Sequence, residues 1–177
     1  MATTATRLIE NRPEPVFNGE VFNFIDLKRH LSAEGVRFFS KGDTEVLLSA
    51  WQRWGDKALE KFDGAFAFAI WDRPARTCLL ARDRLGIKPL YYVIASNRLI
   101  FGSELKAVLA HPSVRRELNL DALSHYLSLE YVPTPHSIIR GVAKLNRASG
   151  FGADFEEYFS RSHELLTTIV QIETTDA

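Results

Sequence analysis

The sequence predicts an α+β fold, because helical patterns and strand patterns occupy separate stretches of the chain. Two helical patterns precede four short apolar strand patterns between residues 64 and 104, and two more helical patterns follow. Consecutive strands joined by short turns are antiparallel. Helices segregated from an antiparallel meander are typical of an α+β domain.

Composition excludes several classes of protein. The 177 residues include 22 Lys and Arg and 22 Asp and Glu, so the formal net charge is zero. A neutral chain is not globally a nucleic-acid binder or a ligand of anionic membranes. No apolar run reaches the length of a membrane-spanning helix, and the N-terminal residues lack the apolar core of a secretory signal. We therefore expect a cytoplasmic protein, with no nucleic-acid or membrane partner.

The zero net charge conceals two regions of opposite charge. Residues 73–116 carry nine Lys or Arg against two acids, whereas residues 154–177 carry six acids against Arg161. The ordinary interpretation of both regions is solvated surface.

The first elements are predicted from turn and cap residues. Residues 1–15 are interpreted as an irregular leader. In the stretch VFNGEVF, residues 16–22, apolar residues alternate around Asn18-Gly19, a dipeptide typical of a tight turn. Asn23 is predicted to cap a helix that buries Leu27 and Leu31, and Gly35 to end that helix.

A second helix is predicted to begin at Asp43, which is a good N-cap residue. Its apolar positions recur at helical spacing: Val46, Leu47, Ala50, Trp51 and Trp54. Gly55 is expected to break or kink this helix before Ala58, Leu59 and Phe62.

The strand GAFAFAIWD, residues 64–72, has two unlike faces. Large side chains alternate with alanines along it. The large face is expected to pack into a core, and the alanine face to allow a close approach by another element.

Three more strands are predicted, at 77–83, 89–95 and 98–104. After them, Ser103 is expected to cap a helix that ends at His111-Pro112, and a further helix starts at Asp121. Residues 131–145 are expected to be extended and interrupted by prolines.

Considered by residue chemistry alone, few positions indicate a site. Asn18-Gly19 offers an amide and an unhindered backbone N–H that could stabilise an oxyanion, although a simple hairpin turn is favoured. Asp43 fits a helix cap better than a ligand-binding acid, and Glu20 is an ordinary exposed acid. The lone Cys78, between strand residues, is typical of an inert buried thiol. The five histidines show no metal-binding spacing, so no metal site is expected.

The combination of motifs is more specific. Six stretches occur in the same order as in one known family of domains. They are FNGEVFNF at 17, SKGDTE at 40, GAFAFAIWD at 64, ARDRLGIKPLYY at 81, FGSELKAVLAHP at 101 and YVPTPHSIIRGVAKL at 131. Together they resemble the class II glutamine amidotransferase domain of asparagine synthetases (glutamine-hydrolysing), over roughly residues 16–145.

The resemblance implies a four-layer αββα fold of the N-terminal-nucleophile hydrolase type, with part of its sheets missing here. In that family an N-terminal cysteine attacks the side-chain amide of glutamine, and ammonia is released to amidate aspartate with ATP. By match to the family motifs, Asn18 and Gly19 would form the oxyanion hole. Glu20 would contact the substrate, and Asp43 would bind the glutamine α-ammonium.

The sequence also departs from the family pattern. Position 2 is Ala2 where the family has its nucleophile, and the family segment ahead of FNGE, with an arginine that grips the glutamine carboxylate, is missing. No SGGxDS-type pyrophosphate loop is present. We therefore expect an inactive chain with no cofactor of its own, since ATP and magnesium belong to the absent synthetase domain. Missing strands are expected to expose a sheet edge or an inner sheet face.

These observations predict a domain plan. Residues 1–15 form a non-matching leader, 16–112 a truncated amidotransferase domain, 113–145 a bridge toward an absent synthetase domain, and 146–177 a divergent acidic tail. Glutamine is the expected family substrate, and a homo-oligomer is possible. Two alternatives stay open: a non-catalytic amino-acid-binding or interaction module, and an amidotransferase for another acceptor.

Overall fold

Two three-stranded sheets organise the protein in the computed structural model, which describes residues 14–72 and 77–146. The first sheet contains β1 (Glu14–Val21), β2 (Gly64–Asp72) and β3 (Thr77–Arg82). The second contains β4 (Tyr91–Ala95), β5 (Arg98–Gly102) and β6 (Ala143–Lys144). The helices are α1 (Phe24–Ala33), α2 (Asp43–Trp54), α3 (Lys57–Lys61), α4 (Leu105–Leu109) and α5 (Leu120–Leu129).

The strands from residue 64 to 104 do not form one meander, as the sequence predicted. The strand order is β1-β2-β3 in one sheet and β5-β4-β6 in the other, with antiparallel pairing throughout. The chain therefore crosses from one sheet to the other between β3 and β4. Buried Asp83 turns the chain at this crossing, because its carboxylate accepts the backbone N–H groups of Ile87 and Lys88 at 2.8 and 2.9 Å.

Arg82, beside Asp83, fastens the same crossing to the end of the described chain. Its guanidinium donates hydrogen bonds to the backbone carbonyls of Gly86, Lys88 and Leu145 at 2.6, 2.6 and 3.0 Å. The planar guanidinium supplies several donors in fixed directions, so one side chain can join β3 to the turn at residues 86–88 and to the residue after β6.

The two faces of β2 separate two layers of the core. Phe66, Phe68 and Ile70 are buried against α1, α2 and α3, in a cluster that also holds Leu31 and Leu47. On the opposite face, a second cluster lies between the sheets: Ala67, Ala69, Cys78, Leu80 and Leu90, with Tyr92 and Phe101 packed against it. The alanines thus admit the second sheet, as expected for a strand covered on both faces.

The outer face of the second sheet packs against α4. Val93 of β4 and Val108 of α4 are buried there with Val114 and Val142. The order is therefore helices, sheet, sheet, helix. The predicted α+β fold, with two stacked sheets between helix layers, is confirmed.

Glycines end the first helices where the sequence places them. Gly35, with φ of +91°, follows α1, and Gly55, with φ of +56°, separates α2 from α3. Leu27 and Leu31 of α1 are both buried. These predictions are confirmed.

The predicted cap contacts differ from those observed. Asn23 occupies the N-cap position of α1, but its side chain instead donates to the Lys61 carbonyl and accepts from the Asp63 N–H. The N-cap residue of α4 is Glu104 rather than Ser103. These polar side chains bond to distant backbone or side-chain groups, which the local pattern did not reveal.

The expected turn at Asn18-Gly19 is wrong. Both residues lie inside β1, which runs unbroken from Glu14 to Val21 opposite β2. The strand therefore includes the last two residues of the predicted leader. Gly19, with φ of +134°, lets the backbone of β1 approach the Ala65 carbonyl closely, so the dipeptide serves strand pairing rather than chain reversal.

An exposed sheet edge and inner face occur at β1, as the sequence led us to expect. Among residues 14–72 and 77–146, β1 pairs with β2 alone. Val16 lies opposite Ala69 on the inner face and is 59% exposed.

None of the helices in the described part of the chain has the length and apolar character needed to cross a membrane.

Candidate functional site

The residues with the strongest sequence signal lie together on β1. Asn18 and Glu20 are opposite Ala67 and Ala65 of β2, and directly paired residues of an antiparallel sheet share one face. That face is the alanine face, so small neighbours leave space around the two polar side chains. Asn18, Gly19 and Glu20 are all exposed to solvent.

Asn18 reaches from the first sheet to the end of the second. Its Nδ2 donates a hydrogen bond to Ser103 Oγ, just after β5, at 3.0 Å. Sequence reasoning assigned Ser103 to a helix cap and missed this contact, because no local pattern reports a partner 85 residues away. The bond fixes the direction of the Asn18 amide.

The backbone of Gly19 faces the free edge of β1. Its partner across the sheet is Phe66, whose carbonyl accepts the Asp83 N–H on the other side of β2. Gly19 and Phe66 are therefore a non-hydrogen-bonded pair, and the alternation of an antiparallel ladder directs the Gly19 N–H away from β2.

Asp43 lies at that same free edge. Its Oδ2 accepts the backbone N–H of Val21 at 3.0 Å, two residues along the strand from Gly19. The predicted N-cap role is wrong, since Asp43 is the first helical residue of α2 and Gly42 is the N-cap residue. The half-buried carboxylate instead joins the start of α2 to the end of β1.

Glu45 holds the segment that leads into α2. Its carboxylate accepts the backbone N–H of Ser40 at 2.6 Å and that of Phe39 at 2.9 and 3.1 Å. Partial burial raises the pKa of Glu45, but these hydrogen bonds outweigh burial and the pKa is lowered overall. Glu45 therefore positions the segment before Asp43 and is not available to a ligand.

Cys78 is set apart from these residues. It lies in β3, between the two sheets, with 7% of its surface exposed. Burial raises the pKa of its thiol to about 11, so the thiolate is scarce at neutral pH. The predicted burial of Cys78 is confirmed.

The reactivity of this thiol can be measured directly. We expect native protein at pH 8 to react with Ellman's reagent at least about 100-fold more slowly than the same protein in guanidinium chloride, because native Cys78 is both buried and protonated. Rapid stoichiometric labelling of the native chain would contradict this placement. N-acetylcysteine serves as the control for reagent activity.

Metal ligands do not converge in the described residues. No group of three or more His, Cys, Asp or Glu side chains there is placed to hold a metal ion. The rings of His125 and His136 have centroids 5.6 Å apart and are tilted by 43°, and no third ligand joins them within the described residues.

Comparison with known families gives one extensive match. The sequence profile of the family described as the glutamine amidotransferase domain matches residues 9–160.

Curated relatives are similar over most of this chain. The asparagine synthetase [glutamine-hydrolyzing] 3 of Bacillus subtilis is 38% identical over 134 residues, which is 75% of this chain and 22% of the relative. A putative asparagine synthetase [glutamine-hydrolyzing] 2 of Methanocaldococcus jannaschii is 35% identical over 144 residues, 80% of this chain and 27% of the relative. The chain thus spans about a quarter of the length of these relatives.

A solved structure shares the fold. The glutamine phosphoribosylpyrophosphate amidotransferase of Bacillus subtilis superposes with a TM-score of 0.51 and 27% identity, over 64% of this chain and 27% of that one.

Proposed function

This chain belongs to the glutamine amidotransferase domain family, and from that premise we propose that it is the glutamine-binding part of an asparagine-synthetase-like protein. In this proposal glutamine binds along the free edge of β1. The asparagine synthesis named in the relatives is proposed to require the greater length that they possess and this chain does not span.

The observation that carries the proposal is the placement of Gly19 and Asp43 along one edge. The Gly19 N–H and the Val21 N–H that Asp43 accepts are two residues apart, or about 7 Å in an antiparallel strand. An extended glutamine, with its α-ammonium and its side-chain carbonyl at opposite ends, is proposed to lie along this edge. A carboxylate at one end and, at the other, an N–H with no hydrogen-bond partner among residues 14–72 and 77–146 therefore complement the two ends of the molecule.

Asn18 and Glu20 extend this set on the alanine face. The Asn18 amide, oriented by Ser103, is proposed to donate to the glutamine side-chain carbonyl beside the Gly19 N–H. Two convergent donors at one carbonyl oxygen are the arrangement that stabilises an oxyanion. Glu20, exposed on the same face, is proposed to contact the substrate.

A substitution at Asp43 can separate the effect of its negative charge from the effect of its hydrogen bond with the Val21 N–H. Asp43→Asn keeps an oxygen that can accept the Val21 N–H but removes the negative charge. We expect glutamine to bind about tenfold or more weakly, since a charged hydrogen bond contributes roughly 1.5–3 kcal/mol. Calorimetric titration of glutamine into both proteins measures this ratio.

The matched control is Asp121→Asn, which removes the same charge from the exposed first turn of α5. It is expected to bind glutamine as the parent does, and both variants should melt within about 3 °C of the parent. Equal affinity in the parent and Asp43→Asn would overturn the role of Asp43. Absence of glutamine binding in the parent would overturn the proposed function.

Binding is proposed to occur without hydrolysis by these 177 residues. Cys78 is the one cysteine in the sequence, and it is buried away from β1 between the sheets. A glutaminase of the covalent type needs an accessible thiolate, and loss of the nucleophile in a comparable triad enzyme costs about 10⁶-fold. We expect ammonia release from glutamine, followed by a coupled glutamate dehydrogenase assay, to equal a blank without protein.

Release above that blank, retained after Cys78→Ser, would show a nucleophile that the proposal does not contain. Release that is lost in Cys78→Ser would show that the buried thiol is reached after all. Either outcome rejects a binding-only function and favours an active glutaminase.

A further inference from the structure

Helix α5 exposes an apolar face that no described residue covers. Leu120, Leu123 and Leu127 recur at helical spacing along one side of it. Leu120 is 64% exposed and Leu127 is 75% exposed, whereas Ala122 is the buried residue of the helix. Leu118 and Tyr131, also exposed, extend this surface at its two ends. We call the surface formed by these five residues, Leu118, Leu120, Leu123, Leu127 and Tyr131, the α5 face.

Positive charge borders one end of the α5 face. Arg115 and Arg116 precede Glu117 and Leu118, and all four are exposed. Arg115 pairs with Glu117 at 3.6 Å, so these residues leave a net positive charge of one. Arg140 is also exposed, and its backbone N–H donates to the Glu117 carbonyl, which brings the Arg140 backbone to this end of the helix. A ligand of the α5 face is therefore expected to combine apolar side chains with negative charge.

The described chain ends close to this surface. Lys144 donates through its ammonium to the Val132 carbonyl at 2.5 Å and through its backbone to the Pro135 carbonyl at 2.9 Å. Residues 132–135 follow directly after α5, so Lys144 lies near the segment that leaves the C-terminal end of that helix, two residues before Asn146.

The sequence beyond Asn146 has the matching composition. Apolar residues cluster at Leu165, Leu166, Ile169, Val170 and Ile172. Glu164 and Glu173 flank this cluster, and the stretch lies past residue 160, where the family match ends. We propose that residues 164–173 bind the α5 face, with their acids toward the three arginines.

The tether allows this contact within one molecule. Residues 147–164, when extended, reach roughly 60 Å, whereas a domain of this size has a radius of gyration of about 15 Å. A segment on so short a tether has a millimolar effective concentration, which exceeds that of a second copy in dilute solution. The expected occupant is therefore the protein's own segment rather than another molecule.

A photo-crosslinker on the α5 face tests the contact in the full chain. p-Benzoylphenylalanine at position 127 keeps an apolar side chain and, on irradiation, is expected to form an intramolecular adduct within residues 164–173, located by peptide mass spectrometry. The same crosslinker in place of exposed Lys57 of α3 should form no adduct with that segment. A dimer-mass adduct, or no adduct within 164–173, would overturn the proposal.

Hydrogen exchange provides a second and independent measure. Ile169→Asp places a charge in the apolar cluster, so we expect the amides of α5 to exchange at least about threefold faster than in the parent. Thr168→Asp adds the same charge without removing an apolar side chain, and a smaller effect is expected. Unchanged exchange of α5 in Ile169→Asp would contradict the proposed contact.

Discussion

Gly19→Ala is expected to lower the free energy of unfolding by more than about 3 kcal/mol. A Cβ at this position would lie 2.1 Å from the Ala65 carbonyl oxygen and 2.7 Å from the Phe66 Cα. Both atoms belong to the backbone of the neighbouring strand, so neither can move aside as a flexible side chain could. The φ of +134° adds strain for any residue with a side chain, by about 1–3 kcal/mol.

Gly42→Ala is the matched control for this substitution. A Cβ at Gly42 meets nothing within 4 Å, and its φ is −85°. We expect the control to lose less than about 1 kcal/mol, mainly because alanine is a poorer N-cap residue than glycine. Urea unfolding monitored by circular dichroism measures both losses. A Gly19→Ala variant as stable as Gly42→Ala would show that β1 is not paired with β2 in this register.

Asp83→Ala is expected to destabilise the protein by about 3–5 kcal/mol. The substitution removes the acceptor for two backbone N–H groups in a buried position. Hydrogen bonds to a charged group contribute roughly 1.5–3 kcal/mol each, and buried donors left without a partner carry a desolvation penalty. The loss falls on the crossing from β3 to β4, so the packing of the two sheets should loosen as well.

Asp26→Ala is the control that tests whether the large destabilisation by Asp83→Ala arises from burial of the carboxylate. Asp26 pairs with Arg29 at 2.6 Å, but both side chains are largely exposed. An exposed pair of this kind contributes little, so a loss within about 1 kcal/mol is expected. Equal losses in the Asp83→Ala and Asp26→Ala variants, measured by the same urea titration, would refute the structural role of Asp83.

Local patterns in the sequence were sufficient to predict those structural features that a single helix or strand determines by itself. The alternation of large residues and alanines in β2 is visible in nine consecutive letters, and it correctly predicted a strand covered on both faces. Gly35 and Gly55 ended their helices because a positive φ is a local property of the backbone.

Features that depend on residues far apart in the sequence could not be predicted from those local patterns. Asn18-Gly19 is a strong turn dipeptide, yet pairing with β2 keeps it in a continuous strand. Ser103 and Asp43 are good capping residues, but each makes its hydrogen bond with a residue of β1. The division of the strands between two sheets depends on the buried carboxylate of Asp83, and strand patterns alone carry no signal for it.

The residues of the candidate site also divide into those that the local sequence keeps together and those that depend on distant contacts. Asn18, Gly19 and Glu20 are adjacent in sequence, so any strand would keep them together. The arrival of Asp43 at their edge requires α2 to pack beside β1, which the spacing of residues does not reveal. The resemblance to a family supplied that grouping, and the structure shows the hydrogen bond that maintains it.

The three hydrogen bonds from Arg82 to backbone carbonyls influence how the protein unfolds. Its bond to Leu145 spans 63 residues and joins the end of the second sheet to the crossing that leaves the first. Detachment of β6 therefore breaks the hydrogen bond between Arg82 and the Leu145 carbonyl at the junction of both sheets. Fraying from that end is discouraged, and the two sheets are expected to lose their structure in one cooperative transition.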